Sequence, residues 1–271
     1  MSYATPPGGL PPQSALLTDR AIVTDAYAVI PKGVQRDIVT SLLPGWSGTR
    51  AWVLARPMSG LAETFSQMIV EVTPGGGASQ GEPDAAAEGV IFVTAGEGKL
   101  ALDGAEHLLE PGAYAYLPAG QVWGLTSTEG LNFVWVRKRY EPVAGIAAPE
   151  AFVTSDQATA VNWMPGAEDI WGTQRFVDTD DLSHDMHVNI VTFGPGGSIP
   201  FAETHVMEHG LYVLEGKAVY HLNGDWVEVE AGDFLWLRAF CPQACYAGGP
   251  GPFRYLLYKD VNRFPPLGVP R

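Results

Sequence analysis

The feature that most constrains this chain is a pattern that occurs twice, about 120 residues apart. Gly96 corresponds to Gly216 after an apolar run, Asp103-Gly104 to Asn223-Gly224 between alternating runs, Gly112 to Gly232 ahead of another apolar run, and residues 134–138 to 256–260 near the end. Taken as one ungapped register, these four anchors predict a supersecondary unit used twice. The unit is all-β. Residues 90–94, 114–117, 133–137, 211–214, 218–222, 234–237 and 255–258 are each of strand length, and the 32 Gly and 22 Pro fall between them as turn chemistry. The Asn223-Gly224 pair is a hairpin signal. No stretch of about 12 residues or more reads as an amphipathic helix. The expectation is two tandem β-barrels: an N-terminal extension (1–49) packed across one barrel, a first barrel (50–142), a linker (143–169) and a second barrel (170–271).

Charge and composition exclude several classes of function. A formal charge of -14 leaves no electrostatic footprint for nucleic acid or an anionic membrane. With 46% apolar and 17% charged residues, the chain can build a buried core. The expectation is a folded, soluble protein. Cys241 and Cys245, if on one strand, are four residues apart at ~3.3 Å each, too far to bridge. Residues 1–16 lack the basic and apolar regions of a secretion signal, and no apolar run is long enough to span a bilayer, so a cytoplasmic protein is expected.

Chemistry concentrates in the second half. From Gly197, five residues lead to Glu203-Thr204-His205, three more to His209 and six more to Gly216. This resembles the first cupin motif, a Gly followed at the same spacing by His-x-His, a Glu and a Gly, with two ligand types changed. The second cupin motif has Gly, five residues, Pro-x-Gly, two residues and His; counted from Gly232, Arg238 and Phe240 stand at the Pro and Gly positions and Gln243 at the His position. The resemblance implies Gln243 as a fourth ligand and leaves open the shape of the loop that delivers it. Glu203 and His205, two apart, leave one face of a strand and share a lumen, and His209 enters after a tight turn. Two imidazoles, a carboxylate and an amide suit a borderline to hard divalent ion, Mn²⁺ or Fe²⁺ ahead of Zn²⁺. At the 120-residue offset the first half carries Pro83, Ala85, Gly89 and Trp123, none a ligand, yet it keeps Pro118-Ala119-Gly120. One barrel is expected to be a scaffold.

The combination Glu-x-His-x-x-x-His with a later Gln, together with residues 19–23, 137–140, 208–210 and 258–263, resembles the (S)-ureidoglycine aminohydrolase family over about residues 15–263. That resemblance implies an all-β bicupin and a Mn²⁺-dependent hydrolase of purine (allantoin) catabolism, which converts (S)-ureidoglycine and water to (S)-ureidoglycolate and ammonia. Another divalent metal is an alternative. The metal ligands would be Glu203, His205, His209 and Gln243; the substrate contacts Glu203, Gln243, Tyr255 and Lys259; the catalytic residues Glu203, as proton acceptor, and Lys259. A small-molecule substrate, no nucleic acid or membrane partner and a homo-oligomer are expected.

Plainer roles are assigned elsewhere. His107, His184 and His221 are read as packed core residues, and His187 and Asn189 as either core or pocket wall. Glu208 is expected on a solvated turn, Trp123 as a plug of the first barrel, and Cys241 and Cys245 as inert lumen thiols. The rivals are a metal-dependent bicupin dioxygenase or isomerase, which would not favour Gln243, and a non-catalytic small-molecule-binding bicupin.

Overall fold

The computed structural model describes residues 20–32, 41–58 and 61–265; the readings of residues 1–16 and of Asp19 lie outside them. The described residues form strands and no α-helix. The first are β1 (Ile22–Val23), β2 (Tyr27–Ile30), β3 (Ser47–Ala55), β4 (Phe65–Ala78), β5 (Ala87–Leu102), β6 (Ala105–Leu109), β7 (Ala113–Leu117), β8 (Trp123–Arg139) and β9 (Phe152–Ser155). Then come β10 (Val161–Trp163), β11 (Trp171–Gln174), β12 (Met186–Phe193), β13 (His209–Glu215), β14 (Lys217–Leu222), β15 (Asp225–Glu230), β16 (Phe234–Leu237), β17 (Gln243–Ala247) and β18 (Phe253–Asp260).

The first half is a sheet in the order β3-β4-β8-β5-β7-β9, with β6 on β5. The second is a large sheet, β1-β2-β16-β13-β18-β12-β11-β10, closed by a small one, β15-β14-β17. The extension thus supplies an edge of the second barrel, where β2 pairs with β16 and Arg20 reaches Asp233. Within the segment between the barrels, β9 joins the first sheet and β10 the second.

The two large sheets pack face to face, which explains why β7, β12 and β16 are apolar or buried at every position. Side-chain parity sorts them: Leu235 and Leu237 enter the core of the second barrel, whereas Phe234 and Trp236 join Trp52, Phe65 and Tyr114 in a cluster between the barrels.

Strand pairing also corrects the register of the repeat. Leu102 faces Trp123 as Leu222 faces Gln243, a spacing of 120, but Gly96 lies against Gly130 and Leu131 as Gly216 lies against Pro252 and Phe253, a spacing of 122. The second barrel carries two extra residues between β17 and β18, so the last of the four anchors is displaced. Gly96 and Gly216 themselves have φ of 77° and 81°, and a Cβ on either would lie 2.2 Å from a carbonyl oxygen of the neighbouring strand. Only glycine fits there, in both halves.

Candidate metal and substrate site

The site residues converge at one end of the second barrel. Glu203 and Gln243 form an isolated antiparallel bridge, each backbone N–H donating to the other's carbonyl at 2.9 Å. That bridge fixes the start of β17 against the 203–205 segment. The Phe240 N–H donates to the His205 carbonyl at 2.6 Å, tying the second-motif loop to the first motif. The loop keeps the ordinary cupin turn despite its sequence: Phe240 has φ 67° where Gly120 of the first barrel has φ 80°, and Cys241 N–H donates to Arg238 O as Gln121 N–H does to Pro118 O.

The side chains make a chain of contacts. Glu203 Oε1 lies 3.2 Å from His205 Nε2, the rings of His205 and His209 are 5.1 Å apart, and Gln243 Nε2 lies 3.4 Å from His209 Nδ1. As these side chains stand, no group of three or more His, Cys, Asp or Glu among the described residues is drawn together as a metal cluster. The donor chemistry nonetheless fits a divalent cation. His209 is buried, its Nε2 has no hydrogen-bond partner, and burial, helped by Lys259 and His205, pushes its pKa well below the usual value. A buried polar atom left unpaired costs about 1–3 kcal/mol, and a neutral imidazole is the form that ligates a cation.

Lys259 and Tyr255 lie on the lumen face of β18, Lys259 directly across from His209 on one side and His187 on the other. Burial lowers the Lys259 pKa; Glu203 opposes that shift and Arg175 adds to it. Burial raises the Tyr255 phenol, so it remains an O–H donor. His187 is pushed down to about 4, chiefly by burial and then by His184 and Lys259. Asn189 Oδ1 and His187 Nε2 are further buried atoms without partners.

The first barrel shows what the same frame does without ligands. Gly81 N–H donates to Trp123 O as Glu203 N–H does to Gln243 O, so Gly81, rather than Pro83, is the counterpart of Glu203. Gly89 faces Leu117 as His209 faces Leu237. A Cβ at Gly81 would sit 2.0 Å from the Trp123 ring, and one at Gly89 2.8 Å from Trp135 Nε1. Two ligand positions are glycine because Trp123 and Trp135, 5.7 Å apart, occupy the space, with Trp46 and Phe133 packed on them at ring distances of 5.9–6.5 Å. Trp123 is the expected plug.

Glu208 is not on a solvated turn. It is 6% exposed, and its carboxylate accepts from Glu63 N–H and Thr64 N–H at 2.9 Å and from Thr64 Oγ1 and Trp236 Nε1 at 2.6 Å. It does point away from His209, but the opposite face of this strand meets the first barrel, not water. Its parity with Gly210 and Tyr212 was the only available signal. Tyr220 and Arg175 were also missed; the trace of Tyr220 is that the first barrel carries Leu100 in its place. Cys241 and Cys245 are free and buried, their thiols raised by burial to about 11 and about 12. His184 is buried against Tyr116, while His107 and His221 are only partly buried, His221 lying against the exposed Trp226.

Two tandem barrels of this kind, one closed by aromatics and one holding a polar site, define a bicupin. Family models agree: a cupin domain matches residues 189–258 and an EutQ-like cupin domain residues 59–140. The (S)-ureidoglycine aminohydrolase of Escherichia coli K12 is 31% identical over 253 residues, 92% of this chain and 94% of that protein. The (S)-ureidoglycine aminohydrolase of Arabidopsis thaliana is 32% identical, over 84% of this chain and 74% of its own. Among solved structures, a glyoxylate-induced protein of Pseudomonas aeruginosa matches all of both chains at 62% identity and a TM-score of 0.91. An oxalate decarboxylase, at 13% identity and a TM-score of 0.61, covering 92% of this chain and 81% of its own, shares the fold alone. The chain belongs to the (S)-ureidoglycine aminohydrolase family.

Proposed function

We propose that this bicupin hydrolyses (S)-ureidoglycine to (S)-ureidoglycolate and ammonia in purine catabolism. The observation that carries the reading is the unpartnered, buried Nε2 of His209 among Glu203, His205 and Gln243, in the one barrel whose lumen is not filled by tryptophan. Membership of the family supports it. Glu203, His205, His209 and Gln243 would hold a divalent cation, Mn²⁺ in this reading, which supplies Lewis-acid polarisation of the substrate's amine and carboxylate.

The protein's own groups do the rest. Lys259 offers a compact charge to the substrate carboxylate, and its half-buried setting makes that pairing stronger than it is in water. Tyr255 donates from the lumen wall to the ureido end. Glu203 takes a proton from the ureido nitrogen and passes it to the α-amine, which leaves as ammonia; water then adds to the same carbon, and Glu203 carries the water's proton back to the nitrogen. The asymmetric placement of Lys259 and Tyr255 about the reacting carbon selects one enantiomer. The same reading takes the enzyme to be a cytoplasmic homo-oligomer. Two unpaired cysteines suit a reducing compartment, and exposed Phe201, Val206, Trp226 and Phe240 offer apolar surface for self-association.

The test is ammonia release from freshly made ureidoglycine by protein stripped with chelator and reloaded with Mn²⁺. Metal-dependent formation of S-ureidoglycolate is expected, with kcat lowered about 10²–10⁴-fold in Glu203→Ala, whose metal-free form should melt with the metal-free parent. No acceleration over spontaneous decay by metal-loaded protein would refute the assignment.

A further inference from the structure

β12 sends its side chains two ways. Met186, Val188 and Ile190 enter the cluster between the barrels, whereas Val191 and Phe193 enter the core of the second barrel, and His187 and Asn189 share their parity. Register places His187, Lys259 and His209 in one row across β12, β18 and β13, Asn189, Leu257 and Leu211 in the next, and Val191, Tyr255 and Val213 in a third. Asn189 therefore lies one row deeper than the charged end of the site and one row from Tyr255. It is 5% exposed, and its Oδ1 has no partner.

The first barrel again provides the comparison. Leu257 faces Asn189 as Trp135 faces Met68, so Met68 is the counterpart of Asn189, buried in the apolar core of its barrel. An apolar side chain satisfies this position in the first barrel. In the second barrel the position carries an amide whose carbonyl is buried and unpaired, which destabilises the fold unless a ligand completes it.

We propose that Asn189 is the specificity residue for the ureido end of the substrate, its side-chain amide pairing with the ureido group through two antiparallel hydrogen bonds. A carboxamide matches a urea in donor and acceptor on each side: Oδ1 accepts from the terminal NH₂, and Nδ2–H donates to the ureido carbonyl. Lys259, one row away, holds the carboxylate, so Asn189 and Lys259 together set the length and polarity of the molecule that fits. This rests on the aminohydrolase reading and adds the residue that separates ureido acids from other small hydroxy- or amino-acids.

The experiment is calorimetric titration of Mn²⁺-loaded protein with S-ureidoglycolate and with glycolate, which keeps the hydroxy-acid chelate and lacks the ureido group. Asn189→Leu, nearly isosteric, is expected to weaken ureidoglycolate binding about tenfold or more while glycolate binding stays within about twofold. Its melting temperature should not fall, because an unpaired amide is removed. Asn189→Met, which installs the residue of the first barrel without adding charge, should show the same selective loss. Equal loss for both ligands, or no loss, overturns the proposal while ammonia release by the parent protein leaves the aminohydrolase reading standing. A parent that neither releases ammonia nor binds ureidoglycolate overturns both.

Discussion

Glu208 stands one residue before His209 and points away from it, yet four donors hold its carboxylate and its own N–H donates to Asp260 Oδ1 at 2.6 Å. Two of those donors are backbone N–H groups of the first barrel, so the closed barrel fixes the strand that presents His209. Glu208→Gln keeps the volume but turns one acceptor oxygen into a donor facing other donors. A loss of about 2–3 kcal/mol is expected, with charge-assisted bonds at stake. That corresponds to a fall in melting temperature of roughly 4–12 °C, at about 2–4 °C per kcal/mol for a chain of this size. Because Glu208 is a positioning residue, metal affinity should fall with it, measured by titration of the stripped protein; unchanged affinity would reduce Glu208 to a stability element. The sequence placed Glu203 and His205 on one face by parity alone, and the structure brings them within contact. It could not place Glu208, since alternation separates two faces without saying whether the second meets water or another sheet.

At the level of single elements, turns and strands were legible where one residue dictates backbone shape. Each of the seven strand-length runs falls within an observed strand, and Asp103 and Gly104, with φ of 50° and 79°, make the expected tight hairpin. The two residues added between β17 and β18 are already present in the last anchor, which is shifted by 122 where the other three are shifted by 120; what is invisible without pairing is that the first motif reaches Gly81 rather than Pro83. The second-motif loop is the reverse case, because its residues depart from the pattern while its backbone does not. Phe240 holds a left-handed φ of 67° that bulky residues adopt at a cost of about 1–2 kcal/mol, and at 65% exposure its ring returns little of that through burial. Phe240→Gly, with glycine's greater freedom in the unfolded chain subtracted, should therefore stabilise by about 0.5–1 kcal/mol. Turnover should stay within about twofold, since the turn that delivers Gln243 is unchanged. A lower melting temperature would show that the exposed ring packs on something the fold needs, such as a second subunit.

Across the whole molecule the two barrels are held by a buried polar cluster as well as by apolar contact. Tyr116 donates to Glu88 Oε2 at 2.6 Å, and Lys138 Nζ reaches Asp185 Oδ2 at 2.6 Å, which also accepts from Glu141 N–H at 2.7 Å. Glu88 Oε1 and Asp185 Oδ1 are both buried acceptors without a donor, a conflict that one proton shared between the two carboxyls resolves. Burial first, and then the hydrogen bond and charge of Asp185, raise the Glu88 pKa far above the ordinary carboxyl range. Burial works against ionisation of Asp185, but the Glu88 proton and Lys138 outweigh it, so Asp185 carries the charge. The native protein thus binds a proton that the unfolded chain releases above about pH 4.5. With more protons bound in the folded state, stability from this group is complete below that value and declines as pH rises toward the folded pKa, by up to about 1.4 kcal/mol per unit. Glu88→Gln keeps an oxygen for Tyr116 and supplies an N–H for Asp185 without a proton to lose. The melting temperature of the variant minus that of the parent should grow steadily between pH 5 and pH 8, by roughly 3 °C per unit while the full proton is at stake. Taking the difference cancels His187, His209 and the two cysteines, which titrate alike in both proteins. A difference that stays flat with pH would mean Glu88 is ionised in the folded state and that Lys138 alone balances both carboxylates.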